Sequence, residues 1–195
     1  MGIRFGGSGQ YLRRTANLPT TAAFTLAGWF RVRSVRASNY QYFIDLDDGN
    51  NYAVVGYQAA GDWDIGTSGG AASSPVGPAL NTWTFIACTL AGAGAGNFKV
   101  YHATPAAAGF AVASSAGATF TPSEMYVGND FADEWCNVDI GSVWVYNAVL
   151  TEAELWRQMR SPRPIRWAGL NLWSPLWTPN DVADYSGNGR HWTVG

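Results

Sequence analysis

The acidic side chains are the first candidates for chemistry, and Asp45, Asp47 and Asp48 form their densest group. Asp45 and Asp47 are two residues apart, so they fall on one face of a strand. Two carboxylates at a set separation are what a glycosidase uses as acid and base. The segment 47–51 is also a strong turn signal, and solvation of the carboxylates at that turn is the interpretation we favour. The acidic pair at 133–134 is adjacent and lacks the spacing of a catalytic pair.

Other patterns of nucleophilic and metal catalysis are missing from the sequence. It has no Gly-x-Ser-x-Gly and no phosphate-binding loop, and its histidines are His102 and His191. With Cys88 and Cys136 as the two thiols, a zinc site of His and Cys is disfavoured. Cys88 sits in an apolar run and is predicted to be a buried thiol, while a bridge between the two cysteines stays open. We therefore predict that the protein is not an enzyme.

Aromatic side chains beside turns are the remaining candidates for binding chemistry. Tyr57, Trp63 and Trp135 lie near turns that carry Asp and Asn. Sugars pack their C–H faces on aromatic rings, and binding pockets add a few fixed polar groups. The alternative, which we favour, is that these rings cover a sheet edge or lie in a protein interface, where Trp, Tyr and Arg concentrate.

Composition excludes several classes of protein. The chain has 195 residues, which fits a single domain over 1–195. Aromatic residues make up 14% and charged residues 13%, the opposite of a disordered chain. The net charge of −2 is unlike that of a nucleic-acid binder. The N-terminus has no signal-peptide pattern, and no window approaches the roughly 18 apolar residues of a membrane helix. We expect neither nucleic acid nor membrane as a partner.

Short strands separated by Gly, Pro and Asn turns predict an all-β sandwich or barrel. The core is predicted to contain Leu26, Phe30, Phe85, Ile86, Val143 and Val145. Predicted strands cover 3–5, 11–12, 24–32, 40–46, 52–57, 63–65, 82–90, 98–101, 125–127 and 140–146. The stretch 103–118 consists mainly of small residues and has low complexity, and no strand is assigned to it.

One short helix is predicted near 151–160, followed by an unusual segment. Thr151 and Glu154 form a capping box, and the prolines after Arg160 end the helix. Residues 161–180 contain four prolines and three tryptophans, so we expect an extended arm on the surface that cannot pair as an inner strand. Its Arg163, Arg166 and Trp167 either pack on the protein's own sandwich or anchor a neighbouring molecule.

Several segments in a fixed order resemble one family. Phe24–Phe30 is similar to the strand Phe-Thr-Leu-Ser-Ala-Trp-Phe of the LamG-like, concanavalin A-like domains, and Asn81–Ala87 to their x-x-Trp-x-His-Val-Ala strand. Ile140–Leu155 resembles the strand and capping box that follow, and Asp184–Gly189 matches their Asp-x-Ser-Gly-Asn-Gly turn. The resemblance implies a two-sheet antiparallel jelly-roll sandwich that ends in a turn and short strand over 184–194.

The order of these segments and the family's metal site give two further expectations. The turn that often precedes the first strand here ends the chain, so Trp192–Val194 is expected to pair near Ile3–Phe5. In the family the Asp of that turn often binds calcium, and its match is Asp184. The family's acidic partners are replaced, for example by Gly6 and Gly141, so we favour a role in the turn over calcium. No cofactor is otherwise implied.

The resemblance is strongest to standalone LamG-like proteins of tailed-phage genomes. It suggests a virion surface protein, a capsid decoration or small tail protein, made in the host cytoplasm. Its partners would be other virion proteins and further copies of itself in a homo-oligomer. The alternative is a lectin-type module that binds host glycans, with or without calcium. The glucanase motif Glu-x-Asp-x-x-Glu has no match around Asp45, because that strand carries no Glu.

Overall fold

The structure, a computed structural model, describes residues 2–6, 10–15, 18–19, 23–35, 40–57, 63–74, 79–128, 136–176, 178 and 181–194. This part of the chain forms fourteen strands and one helix. In chain order the elements are β1 (Ile3–Phe5), β2 (Leu12–Arg14), β3 (Ala23–Ser34), β4 (Gln41–Asp47), β5 (Tyr52–Tyr57), β6 (Trp63–Thr67), β7 (Gly70–Ser74), β8 (Thr84–Ala91), β9 (Gly94–Ala103), β10 (Ala111–Gly117), β11 (Glu124–Val127), β12 (Asn137–Tyr146), α1 (Glu152–Met159), β13 (Leu170–Ser174) and β14 (Thr193–Val194).

The strands form two antiparallel sheets, which confirms the predicted jelly-roll sandwich. The first sheet has the order β1-β12-β3-β8-β9-β10, and β13 also pairs with β12. The second sheet has the order β14-β2-β11-β4-β5-β6-β7. Strands β4 to β7 and β8 to β10 are consecutive neighbours, whereas pairs such as β1 with β12 and β2 with β11 join distant segments, so the chain passes repeatedly between the two layers.

The core between the sheets contains most of the residues predicted for it. Leu26, Phe30, Ile86, Val143 and Val145 are all 0–1% exposed and belong to this cluster. Removing an apolar side chain of this size from water stabilises the fold by about 1.5–3 kcal/mol. In β3, large apolar residues such as Leu26 and Phe30 alternate in the sequence, and this alternation predicts which side chains face the core.

A second apolar layer covers the outer face of the first sheet. Phe85, the remaining predicted core residue, lies here with Trp144 and with Leu155 and Met159 of α1. The Thr151 side chain accepts from the Glu154 amide, and Glu154 accepts from the Thr151 amide in return, so the predicted capping box is confirmed. Burial on both faces explains the nearly unbroken apolar sequence of β8.

Two strands form where the sequence predicted none. Strands β7 and β10 consist largely of Gly, Ala and Ser, which have little intrinsic preference for strands. Strand β10 pairs with β9 from Ala111↔His102 onward, and β7 pairs with β6. Pairing with a neighbouring strand therefore decides the conformation of these segments.

The C-terminal segments add two strands, and the pairing of one of them differs from the expectation. Strand β14 pairs with β2, Thr193 opposite Arg13, so the predicted pairing with Ile3–Phe5 is wrong. Strand β1 instead pairs with β12 in the other sheet. Within the expected arm, residues 170–174 form the strand β13, which pairs with β12 alone and therefore packs on the protein's own sandwich as an edge strand and not an inner one. Residues 177, 179 and 180 of that arm lie outside the described residues.

Two further findings concern the thiols and the membrane. Cys88 and Cys136 are both free and buried, so the bridge left open by the sequence is not formed. Burial raises the pKa of the Cys88 thiol to about 12, which makes it an unreactive core side chain.

The described part of the chain has no helix with the length and apolar character that spanning a membrane requires.

Candidate functional site

A cleft of about 380 Å³ opens on the outer face of the second sheet, where β4 and β5 are joined by their turn. Both strands send alternate side chains inward to the core, which leaves the remaining ones facing the cleft. Its lining is aromatic and polar and consists of Tyr40, Tyr42, Asp45, Asp47, Gly49, Asn50, Asn51, Tyr52 and Val54.

A β-bulge in β4 determines which side chains reach this cleft. In the pairing with β5, Tyr42 lies opposite Gly56 and Ile44 lies opposite Val55, so Phe43 is an extra residue. Phe43 and Ile44 are therefore both buried in the core. The bulge places Tyr42 and Asp45 on the same outer face although their spacing is odd, a common use of bulges near functional sites.

Tyrosine rings form the walls of the cleft. The rings of Tyr40 and Tyr42 are stacked, with centroids 5.7 Å apart and planes 13° from parallel. Tyr40 is 46% exposed and Tyr52, on the other side, is 43% exposed. Such exposure of large rings around a concave surface is typical of binding sites.

Carboxylates lie between these walls. Asp45 is 4% exposed and lies opposite Val54, whereas Asp47 lies opposite Tyr52. Asp47 accepts a hydrogen bond of 3.0 Å from the Gly49 amide. The prediction that solvent surrounds these carboxylates at the turn is only partly right for Asp47. It does not hold for Asp45, which is a buried strand residue beneath the cleft.

The turn itself is held by Asp48. Its Oδ1 accepts from the amides of Asn50 at 2.9 Å and Asn51 at 2.8 Å. These backbone hydrogen bonds hold the pKa of Asp48 below its ordinary value. The hydroxyl of Ser68 donates to Asn51 Oδ1. The rim of the cleft is thus fixed by its own hydrogen bonds before any ligand binds.

Beyond β4 the same face carries a charged group on β11 and β2. Arg13 donates to Glu124 Oε1 at 2.7 Å, and the Tyr126 hydroxyl donates to Glu124 Oε2. The hydrogen bonds from Tyr126 and Arg13 hold the pKa of Glu124 below its usual range. Arg13, Tyr126 and Asp45 are aligned across three adjacent strands.

The aromatic residues singled out from the sequence are not those of the cleft. Tyr57 is 2% exposed and packs against Phe43 in the core, so its proposed role in ligand contact is wrong. Trp63 begins β6, but its side chain lies outside the described part of the structure, as does Trp135 altogether. The sequence analysis did not identify Tyr40, Tyr42 and Tyr52 as candidates, although they flank the acidic cluster of Asp45, Asp47 and Asp48. Only the bulge shows that Tyr42 faces outward.

Asp184 is surrounded by donors from its own turn and the adjacent strand. Its Oδ1 accepts from the amides of Trp173 at 3.1 Å and Ser186 at 2.8 Å. Its Oδ2 accepts from the Ser186 hydroxyl and the Arg190 amide, both at 2.8 Å. Burial alone would raise the pKa of Asp184, but these hydrogen bonds outweigh it and lower the pKa.

These contacts do not fit a calcium site. A cation needs oxygen lone pairs, and the four donors around Asp184 face both of its oxygens. Across the described ranges, no group of three or more His, Cys, Asp or Glu side chains is placed to hold a metal ion. The geometry favours the hydrogen-bonding role in the turn.

The three candidate residues of the arm have different environments. Arg166 donates to Glu154 at 3.0 Å and lies over the ring of Tyr146, so it packs on its own protein. Arg163 is exposed, and Trp167 is 60% exposed, touching only the edge of Trp173 at a centroid distance of 6.2 Å among its described ring contacts. The structure does not bring these residues into the tyrosine cleft.

Comparison with solved structures gives the same architecture at low sequence identity. A heptameric SAP-like pentraxin from Limulus polyphemus is 16% identical with a TM-score of 0.61, covering 99% of this chain and 93% of that one. A carbohydrate-binding candidate from Bacteroides ovatus ATCC 8483 is 16% identical with a TM-score of 0.65, covering 100% and 59%. Tailspike protein 2 of Escherichia coli O157:H7 bacteriophage CAB120 is 14% identical with a TM-score of 0.60, covering 90% and 28%.

These likenesses concern the fold, and the chain spans only 59% and 28% of the last two proteins. Among curated proteins, none matches the chain by sequence. A laminin G-type family model, described as the concanavalin A-like lectin/glucanases superfamily, matches residues 5–155. That match includes the predicted strands from 11–12 to 140–146, the tyrosine cleft and the capping box. The chain therefore belongs to the concanavalin A-like lectin/glucanase superfamily.

Proposed function

We propose that this protein binds a glycan in the cleft between β4 and β5, without cleaving it. The observation that carries the proposal is the combination of the stacked Tyr40 and Tyr42, the exposed Tyr52 and the buried Asp45 in one cavity of about 380 Å³. The likeness in fold to the Bacteroides ovatus protein, a carbohydrate-binding candidate, supports it.

Each part of the cleft matches a part of a sugar. The flat faces of the tyrosine rings suit the C–H faces of a pyranose, which are apolar. Carboxyl oxygens accept hydrogen bonds, so Asp45 and Asp47 suit a ligand rich in hydroxyl donors.

The surroundings of several acids on this face support binding without hydrolysis. Asp47 is engaged by the Gly49 amide at 3.0 Å, and Glu124 on the neighbouring strand accepts from Arg13 and Tyr126. A glycosidase requires one carboxyl group with a raised pKa as the general acid. The acids of this face for which a shift is resolved, Asp48 and Glu124, have lowered pKa values.

A glycan array followed by calorimetry with the best ligand tests the proposal. Tyr52→Ala and Asp45→Asn are expected to weaken binding at least tenfold. Tyr185→Ala is the matched control, because Tyr185 is 42% exposed, nearly the same as Tyr52, but lies in the terminal turn. Failure of every glycan to bind, or equal affinity of Tyr52→Ala and the wild type, would overturn the proposal. Release of reducing sugar by the wild type would contradict its non-enzymatic part.

A second candidate, compatible with the first, is a structural role on the surface of a tailed-phage particle. The likeness to the tailspike protein over 90% of this chain supports it, and so does the exposed Trp167 beside the cationic arm. In this role the protein is a capsid decoration or small tail protein that forms a homo-oligomer on the particle and contacts other virion proteins. Mass spectrometry of purified virions from the producing strain is expected to find it at high copy, and its absence from particles would exclude the role.

A further inference from the structure

A second, basic pocket lies on the second sheet where β2 meets the segment entering β14. It has a volume of about 190 Å³, and its lining includes Arg13, Arg14, Arg190, His191, Thr15 and Thr193. Unlike the tyrosine cleft, its lining consists mainly of residues with hydrogen-bond donors: three arginines, a histidine and two threonines.

The two innermost arginines are positioned by the terminal turn. Arg14 is only 5% exposed and donates to the backbone oxygen of Arg190. The side chain of Arg190 donates to the backbone oxygen of Asn171 at 2.9 Å. A guanidinium has five donors, so these bonds fix the two groups and leave further N–H donors of Arg190 for a ligand.

His191 and Arg13 add further hydrogen-bond donors to the lining residues. The Nδ1 of His191 accepts from the Asp184 amide at 3.1 Å, so in the neutral ring Nε2 carries the proton and is a donor. Arg13 binds Glu124 through one terminal nitrogen. Its Nε is buried and has no hydrogen-bond partner within the described residues, an arrangement that costs free energy unless a ligand satisfies it.

The charges around this pocket do not balance. Three guanidinium groups face two carboxylates, Glu124 and Asp184, and Asp184 already accepts four hydrogen bonds from other groups. Burial lowers the pKa of Arg14 to about 10, with the Arg190 charge adding to the effect and the Asp184 charge opposing it. One further negative charge would neutralise the cluster, and arginines bind oxyanions with paired, charge-assisted hydrogen bonds.

We propose that the pocket formed by Arg13, Arg14, Arg190 and His191 binds a tetrahedral oxyanion, a sulfate or phosphate group. The proposal is independent of glycan binding in the tyrosine cleft. The two sites are nevertheless neighbours, because Arg13, Tyr126 and Asp45 are aligned across adjacent strands. Two strand spacings amount to about 10 Å, so a sulfated or phosphorylated sugar chain can span both sites while a free ion fills only one.

Thermal melting of the full chain with sodium sulfate or sodium phosphate tests the pocket, with sodium chloride at equal ionic strength as the reference. At about ten times the dissociation constant, a site specific to the folded state raises Tm by roughly 3–6 °C. Arg190→Gln and Arg13→Gln are expected to lose this rise. Arg157→Gln, which removes the same charge from an exposed position of α1, is expected to keep it. Two variants are used so that a folding defect in one does not decide the result.

A second arm of the experiment separates the sources of the anion. Glucose 6-phosphate is compared with phosphate and with glucose by calorimetry, in the wild type and in Tyr52→Ala. The pocket is supported if inorganic phosphate and glucose 6-phosphate both bind to Tyr52→Ala and neither binds to Arg190→Gln. This result does not depend on whether the cleft binds sugar. A Tm rise no larger than that in chloride, or one retained by both Arg13→Gln and Arg190→Gln, would overturn the proposal.

Discussion

The backbone oxygen of Gln41 occupies the space that a side chain of Gly56 would need. A Cβ atom at Gly56 would lie closer to this oxygen than real Cβ atoms ever approach, and would also meet the Tyr42 backbone. Gly56 lies opposite Tyr42 at the bulge of β4. The bulge that turns Tyr42 toward the cleft therefore depends on a glycine in the neighbouring strand.

Gly56→Ala is expected to lower the free energy of unfolding by about 1–3 kcal/mol, because the new methyl group must displace backbone. The same shift moves Tyr42, so glycan affinity should fall as well. Chemical denaturation and calorimetry measure the two effects. Gly109→Ala is the matched control, since a Cβ there meets nothing within 4 Å. Equal stability of the two variants would show that the bulge does not need Gly56.

The same bulge shows where sequence reasoning succeeds and where it stops. The period-two pattern predicts the core residues Leu26 and Phe30 correctly because β3 keeps its alternation in this region. In β4 one extra residue changes the alternation, and nothing in the local sequence marks it except Gly56 on another strand. The alternation pattern therefore could not identify the tyrosines of the cleft. The acidic residues between them could be identified because they are clustered in the sequence.

Pairing between distant segments is the other part that sequence could not supply. The short strands between turns predict a sandwich or barrel, and the Thr151–Glu154 pattern predicts the capping box, because these signals are local. The family resemblance adds the two-sheet jelly roll. Whether β14 pairs with β1 or with β2 depends on how the terminal turn packs. The Trp173 amide donates to Asp184 and so holds the terminal turn against β13. The sequence motifs do not predict this contact between two separate segments.

Asp139 is expected to make stability depend on acid pH. Its carboxylate accepts from Arg4 at 3.0 Å, Arg31 at 2.7 Å and Arg33 at 2.6 Å. Burial would raise its pKa, but the three arginines outweigh burial and lower it. A carboxyl group whose pKa is lower in the folded state stabilises the fold above its unfolded pKa of about 3.9. That stability is lost as the pH falls from about 5 through the folded value.

Asp139→Asn is therefore expected to lower the free energy of unfolding at pH 7 by about 1–3 kcal/mol, since three partly solvated arginines lose their partner. It should also flatten the decline of stability between about pH 5 and pH 2. Denaturation at a series of pH values measures both effects. Glu152→Gln removes an exposed carboxylate of α1 as the control and is expected to change stability by less than about 0.5 kcal/mol. An unchanged acid dependence in Asp139→Asn would contradict the assignment.

Chelation separates the two roles of Asp184. Because its oxygens already accept four hydrogen bonds from the chain, excess EDTA is expected to leave Tm unchanged. Asp184→Asn should lower the free energy of unfolding by about 1–3 kcal/mol, since an amide nitrogen cannot accept from the donors that face it. Asp181→Asn, in the same segment, is the control. A fall of Tm in EDTA that added calcium reverses would show that Asp184 is a calcium ligand.

The arm gives the last prediction, because Arg166 and Trp167 are adjacent and have opposite environments. Arg166 is held by Glu154 at 3.0 Å and by the Tyr146 ring, whereas Trp167 is 60% exposed. Arg166→Ala is expected to cost about 1 kcal/mol of stability, the upper range for a partly exposed ion pair. Trp167→Ala should change stability by less than about 0.5 kcal/mol.

If Trp167 serves an interface, its replacement should weaken assembly while the monomer melts normally, as anchoring aromatics in interfaces do. Sedimentation of the purified protein and recovery on virions measure that assembly, with Arg166→Ala as the comparison that loses stability instead. A Trp167→Ala variant that melts several degrees lower and still assembles would show that the ring belongs to the fold. The exposed arm would then carry no partner, and the virion role would rest on the fold alone.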